Sequence, residues 1–390
     1  VTTDLAAAPV RPREGRLRNI DLMRVTVFLA VISAHVVTNT LDLAGIGVAG
    51  WGMLMHFTRY AFVFISGFVL FHGYRGRKLT PATFWRKRFS TVVVPYVLWT
   101  CVYFGLDSSL VPWPSFGLWL ETLGQRVSWG NEWYHLYFLH LTIQLSLLFP
   151  LLRRLVRRSE GRHGLLLAAA GAIQAGYMWM ISEVPAPAGP LGEIWPHTDM
   201  MLPLYVFFFV AGAVAAEHRE ALDAWITGHR WVVVAIGVGT LLFTGGVFVL
   251  RAPDYAWAAA APTYPAVLPW AIGATLLVYA ASLAWSRRRP ADGFSARLVA
   301  AGAHRAFGVF AVHPLVLWVL EVTLVPWLGR EVPDAPARTA IVFLLTVAGA
   351  LAVVEVLLHT PLSKYLLARP HEPLPASRVG PSRLRVGRRG

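Results

Sequence analysis

The residues best suited to chemistry interrupt an apolar stretch near the start of the chain, where Asp21, Arg24 and His35 stand among Val, Leu, Ile, Met, Phe and Ala. On a helix turning 100° per residue, the eleven positions from Arg24 to His35 bring the two side chains within about 20° of each other, and the fourteen from Asp21 within about 40°. One polar stripe therefore runs along an apolar cylinder, with His35 roughly 16 Å from Arg24 at 1.5 Å per residue. Imidazole takes and returns a proton near neutral pH, so His35 is the candidate general base on an acceptor hydroxyl or amine. Arg24, with Asp21 beside it, is the candidate site for an anionic donor. The same three residues also admit a packing reading, with Asp21 and Arg24 as an i, i+3 pair and His35 as a hydrogen bonder between helices. A second constellation, Glu132 with His135, falls at the depth of His35. It reads equally as part of an acceptor site, the carboxylate orienting an imidazole, and as an interfacial histidine beside Trp133.

Other polar groups have plainer explanations. His313 precedes Pro314, and an imidazole bonded to the carbonyl that a helix proline frees accounts for it. Ser66 and Gly67 fit close helix packing better than a pore lining. Glu321 should lie about one turn below the far face, and His56 and Arg59 near the outer end of the second helix. No metal-ligand spacing, Gly-rich phosphate loop or nucleophile elbow is present, so zinc, nucleotide hydrolysis and serine hydrolase chemistry are poor fits. The single cysteine, Cys101, can form no internal disulfide.

The elements that must position these groups are membrane helices. Of the 390 residues 56% are hydrophobic and 14% charged, against about 25% charged in soluble domains. Apolar windows of spanning length fall near 20–38, 52–72, 90–107, 132–152, 164–182, 201–217, 231–250, 265–285, 306–325 and 338–360. The expected fold is all-α and polytopic, with about ten transmembrane helices. Of 35 Lys and Arg residues, four (Arg126, Arg251, Arg330, Arg338) fall in one set of alternating loops and two, Arg24 and Arg59, inside helices. All the others fall on the opposite side, which places both termini in the cytoplasm of a plasma-membrane protein. The net charge of +14 thus points to anionic lipid head groups and not to nucleic acid. The first apolar run lacks a small-residue cleavage site, so it is expected to remain as a helix. Three regions follow: a basic cytoplasmic segment over 1–18, a transmembrane domain over 19–365, and a disordered basic cytoplasmic tail over 366–390.

Several phrases together carry a resemblance. Arg18-Asn19-Ile20-Asp21-Leu22-Met23-Arg24, followed after ten residues by His35, is similar to the first-helix signature of the acyltransferase family 3 membrane proteins. Phe62-Val63-Phe64-Ile65-Ser66-Gly67-Phe68 resembles the family's second-helix phrase. Phe84-Trp85-Arg86-Lys87-Arg88-Phe89, leading to Pro95-Tyr96, resembles its basic approach to helix three. Trp133 to Leu139 and Val312-His313-Pro314-Leu315 are similar to its fourth- and ninth-helix segments. The resemblance covers about 15–365. It implies transfer of an acyl group, commonly acetyl from acetyl-CoA, to a sugar, glycan, lipid or other small acceptor, with His35 as the essential histidine and Arg24 as its paired basic residue. It also implies a phosphate-holding arginine among Arg86 and Arg88, although their spacing of two departs from the family's three. Phe310 stands where the family often has tyrosine, which leaves the role of His313 open.

An Arg-rich mouth suits coenzyme A, whose phosphates guanidinium groups bind by paired, charge-assisted hydrogen bonds. The basic residues between Arg75 and Arg88 supply one, although positive-inside topology alone would also put them there. The expected activity is therefore acyl transfer from cytoplasmic acyl-CoA, without a metal, to an acceptor near the outer face. A transporter or flippase of a glycan or acylated small molecule, using the same polar stripe as its path, is the alternative from another class.

Overall fold

The computed structural model of the protein describes residues 17–43 and 45–373, apart from the side chains of 254 and 255. Every regular element among them is helical. In lipid, each backbone N–H and C=O must find its partner inside its own segment, and a helix provides that. Among the described residues ten units are long and apolar enough to cross a membrane: α1 (Arg18–Thr40), α2 (Ile46–Tyr74), α3 (Pro81–Ser109), α4 (Tyr137–Arg158), α5 (His163–Glu183), α6 (Pro190–Glu217), α7 (Arg230–Pro253), α8 (Val267–Arg288), α9 (Phe294–Thr323) and α10 (Ala335–Leu358). The protein is thus a multi-pass membrane protein. The face carrying the arginine clusters and the start of α1 is here termed the basic face, and the opposite one the far face.

The first helix holds the middle of the bundle, packed against α2, α8, α9 and α10. Its apolar side (Ile20, Met23, Val27, Val31, Val36) is fully or almost fully buried, which leaves the polar stripe to line internal space. Between α2 and α6 the backbones nearly touch. A Cβ on Gly67 would meet the Phe209 carbonyl, and one on Gly212 the Phe64 carbonyl, so two glycines set that crossing as small residues do between membrane helices.

Three irregularities matter for the site. The second unit is broken at His56 into Ile46–Met55 and Phe57–Tyr74. In α3, a π-helical turn over Phe89–Val93 follows the regular turns of Pro81–Arg88. Pro95 has no N–H to give the Thr91 carbonyl, and the ladder widens so that the Val94 N–H reaches the Phe89 carbonyl. The fourth helix begins at Tyr137, not near 132 as the apolar window suggested. Glu132 and His135 precede it, on an irregular turn held by Leu136 N–H donating to Trp133 C=O at 2.9 Å.

An extra helix, Phe116–Trp129, fills the loop between α3 and α4 on the far side. The Ser115 side chain caps its start and Gly130, at φ 73°, ends it. Of the expected terminal segments, residues 1–16 and 374–390 lie outside the described residues. Those up to 373 fold back on the bundle, where the Glu372 N–H donates to the Leu358 carbonyl at 2.9 Å and its carboxylate accepts from His304 at 2.9 Å.

Candidate active site

Three cavities follow one another along α1. On the basic side, a space of about 270 Å³ is lined by Arg24 and Phe28 of α1, Ser66 of α2, Arg88, Thr91 and Val92 at the π turn, and Thr142 of α4. A central cavity of about 120 Å³ is lined by Ala34, His35 and Thr38 of α1 together with His56, Arg59, Tyr134 and His135. A far-side vestibule of about 340 Å³ is lined by Asn39, Asp107, Glu132, Trp133, Tyr134, Trp318 and Glu321. The first two share Phe62, Phe138 and Phe310 in their walls, and the last two share Tyr134.

The shared phenylalanines form one contact set with Phe28. Ring centroids lie 4.6 Å apart for Phe28 and Phe62, 5.4 Å for Phe62 and Phe138, and 5.7 Å for Phe138 and Phe310. Edge and tilted ring contacts of this kind hold a constriction without polar groups. It separates the cationic end of the stripe from the imidazole end.

Beyond it three histidines meet. His35 stacks with His313 at 5.6 Å between centroids and lies 4.3 Å from the Tyr134 ring, and His135 is 5.8 Å from His313. The sequence placed His35 and His135 at one depth, and both line the central cavity. His313, expected to satisfy a freed carbonyl, donates from Nδ1 to the Phe310 carbonyl at 2.9 Å, the group that Pro314 leaves without its helical donor. A carbonyl can only accept, so the proton sits on Nδ1 and Nε2 is an acceptor; that atom is buried without a partner. Neither ring nitrogen of His135, 2% exposed, has a hydrogen-bond partner of ordinary geometry. Buried polar atoms left unpaired are uncommon and point to an absent ligand or to chemistry.

The carboxylates stand apart from the imidazoles. Glu132 lies in the vestibule, 3.3 Å from Arg126, and His35 belongs to no ion pair among the described residues. The Glu132 side chain is 3% exposed. Burial pushes its carboxyl up to about 7, against the opposing pull of Arg126 and with a further upward push from Asp107. Asp107 in turn accepts from the Trp133 indole at 3.0 Å. Asp21 sits 3.5 Å from Arg24 as an i, i+3 pair, while Arg24 also lines the basic-side cavity.

Of the two arginines from the approach to helix three, Arg88 lines that cavity, whereas Arg86 is exposed at the molecule's edge. Ser66 and Gly67 divide the two readings made of them: Gly67 packs against the α6 backbone and Ser66 lines the cavity. Tyr134 and Phe310 escaped notice as site residues. The sequence signal for Tyr134 was adjacency to His135, and for Phe310 its place before His313, where the family often has tyrosine. Among the described residues no group of three or more His, Cys, Asp or Glu has metal-holding geometry.

The arrangement supplies cations at one end, an apolar throat, imidazoles in a small chamber, and a carboxylate- and aromatic-rich vestibule at the other end. A family model described as an acyltransferase domain matches residues 17–355. Comparisons with curated proteins and with solved structures gave no match. The match spans most of the chain and every cavity-lining segment named above, and with the ten-helix architecture it makes this protein a membrane acyltransferase belonging to acyltransferase family 3.

Proposed function

We propose that the protein takes an acyl group, acetyl in the first instance, from acyl-CoA at a cytoplasmic basic face and delivers it to a hydroxyl or amine of a sugar, glycan or other small acceptor entering from the far face of the plasma membrane. The observation that carries this reading is the series of three cavities along α1, with Arg24 and Arg88 at one end and His35 in the middle. The arginines suit the donor's phosphates through charge-assisted hydrogen bonds. The phenylalanine throat suits the uncharged pantetheine arm, which brings a thioester to the histidines while the charged nucleotide stays at the mouth. One imidazole nitrogen of His35 accepts the proton of the acceptor's hydroxyl or amine as its O or N attacks the thioester carbonyl. The C–S bond then breaks, and the thiolate recovers that proton and leaves as free coenzyme A. No further co-reactant is required.

Glu132 and Glu321, with Trp133, Tyr134 and Trp318, offer a polar acceptor carboxylates and flat aromatic faces. Anionic lipids are the expected surroundings of the arginine-rich loops. A transport path would need polar lining throughout, and the phenylalanine contact set opposes one.

Sealed vesicles of both orientations, holding the purified protein and supplied with radiolabelled acetyl-CoA outside, test the reading. Release of free coenzyme A is expected only where the basic face is outermost. Equal rates in both orientations, or none in either, would count against it.

A further inference from the structure

Arg59 has no part in the scheme above, yet it borders the same central chamber as His35. It lies in the first turn of Phe57–Tyr74, just past the break at His56. Its guanidinium carbon is 5.2 Å from the centre of the Tyr137 ring, its Nη1 is buried without a hydrogen-bond partner, and it joins no ion pair among the described residues. Asp199 attracts it only from beyond ion-pair distance, and a cation held within a membrane without a contacting carboxylate is costly; such groups mark function. Asp21 contacts Arg24 and Glu132 contacts Arg126, while Asp199 acts on Arg59 without an ion-pair contact among the described residues.

Two kinds of negative charge fit beside it: a permanent anion on the acceptor, or one that exists only during reaction. The vestibule decides between them. Asp107 and Glu321, which join no ion pair among the described residues, line it beside the Arg126-paired Glu132, so an anionic acceptor entering that way meets carboxylates first. A neutral or cationic one does not. The thioester arrives from the other side through a wall free of charge, and its carbonyl oxygen turns negative when the acceptor attacks.

We infer that Arg59 is a further catalytic residue, the electrostatic stabiliser of the tetrahedral oxyanion formed when a neutral or cationic acceptor attacks the thioester in the His35 chamber. The inference rests on the proposed acyl transfer. As the acceptor's O or N bonds to the carbonyl carbon, the carbonyl π pair moves to oxygen, the acceptor's proton passes to His35, and the guanidinium faces the resulting oxyanion. Collapse returns that pair, expels the thiolate and ends the interaction. A fixed cation in a dry site acts on such a transient charge far more than it would in water.

The test uses the full-length purified protein with acetyl-CoA and hydroxylamine, a small uncharged nucleophile that forms acetohydroxamate, beside hydrolysis by water alone. For Arg59→Ala, kcat in both reactions is expected to fall together by about 10²- to 10³-fold, with the KM for acetyl-CoA within about twofold of the native value. Arg59→Lys should keep part of the rate, and millimolar methylguanidinium should restore Arg59→Ala by about tenfold or more, which a purely structural role would not permit. Native-like coenzyme A binding by both variants guards against misfolding. Unchanged rates in Arg59→Ala, or a raised KM for hydroxylamine with hydrolysis intact, would overturn the inference while leaving acyl transfer standing. A native protein inactive in both reactions would overturn acyl transfer itself, and the role of Arg59 with it.

Discussion

The proposed chemistry rests its proton balance on single side chains. His35→Asn keeps a polar group of similar size and loses the base; it should lower turnover by about 10²-fold or more while retaining coenzyme A binding, measured side by side. Glu132 provides a separate check on the vestibule. Its carboxyl rises from an ordinary 4.5 to about 7, so the folded state holds its proton more tightly than the unfolded chain does, and the native protein loses stability as pH climbs through that interval. Glu132→Gln has no such proton to lose. Its unfolding midpoint relative to native should therefore rise between about pH 4.5 and 7, by on the order of a few degrees, and then level off; a difference independent of pH would show that the carboxyl is not perturbed. His35 and Arg24 were legible as one stripe because helix geometry depends on spacing alone. What spacing could not give was partnership across elements: that Glu132 pairs with Arg126 and not with an imidazole, or that His313 joins the other two histidines.

Helices carry the next level. The apolar windows located all ten spans, since lipid demands about 20 apolar residues of any of them. They did not locate the π turn of Phe89–Val93, because widening depends on how the chain around Pro95 is accommodated, and it is this turn that presents Thr91 and Val92, with Arg88 just before it, to the basic-side cavity. Pro95→Ala supplies the missing N–H and allows a regular α turn. It should raise the KM for acetyl-CoA by about tenfold, the order of one charge-assisted hydrogen bond, with little loss of thermal stability; an unchanged KM would separate the turn from donor binding. The start of α4 was misjudged for a related reason, Trp133 to Leu136 being apolar enough to count as membrane yet folded as a turn. At the α2–α6 crossing, Gly67→Ala would force two backbones apart, and a fall in unfolding midpoint of several degrees, or failure to fold, is expected.

Across the whole molecule the three cavities and the charge asymmetry suit the direction of travel proposed above. The orientation expected from sequence rests on the loop arginines, whose alternation is plain without coordinates. The depth at which the rings divide the cavities is not, since Phe28, Phe62, Phe138 and Phe310 come from four different helices and spacing within any one helix does not show that they meet. The chamber of about 120 Å³ past that throat suits a short acyl group. Octanoyl-CoA should therefore turn over at least about tenfold more slowly than acetyl-CoA, each added methylene being a modest but cumulative burden on a closed pocket, and Phe310→Ala should narrow the gap. The central claim is that His35 uses acyl-CoA as its donor. Its most direct test is the consumption of radiolabelled acetyl-CoA by purified protein in detergent, native beside His35→Ala, with coenzyme A binding confirmed for both. Turnover by the native protein that vanishes in the variant is the predicted result; equal turnover in the two, or no binding and no turnover by either, would contradict it.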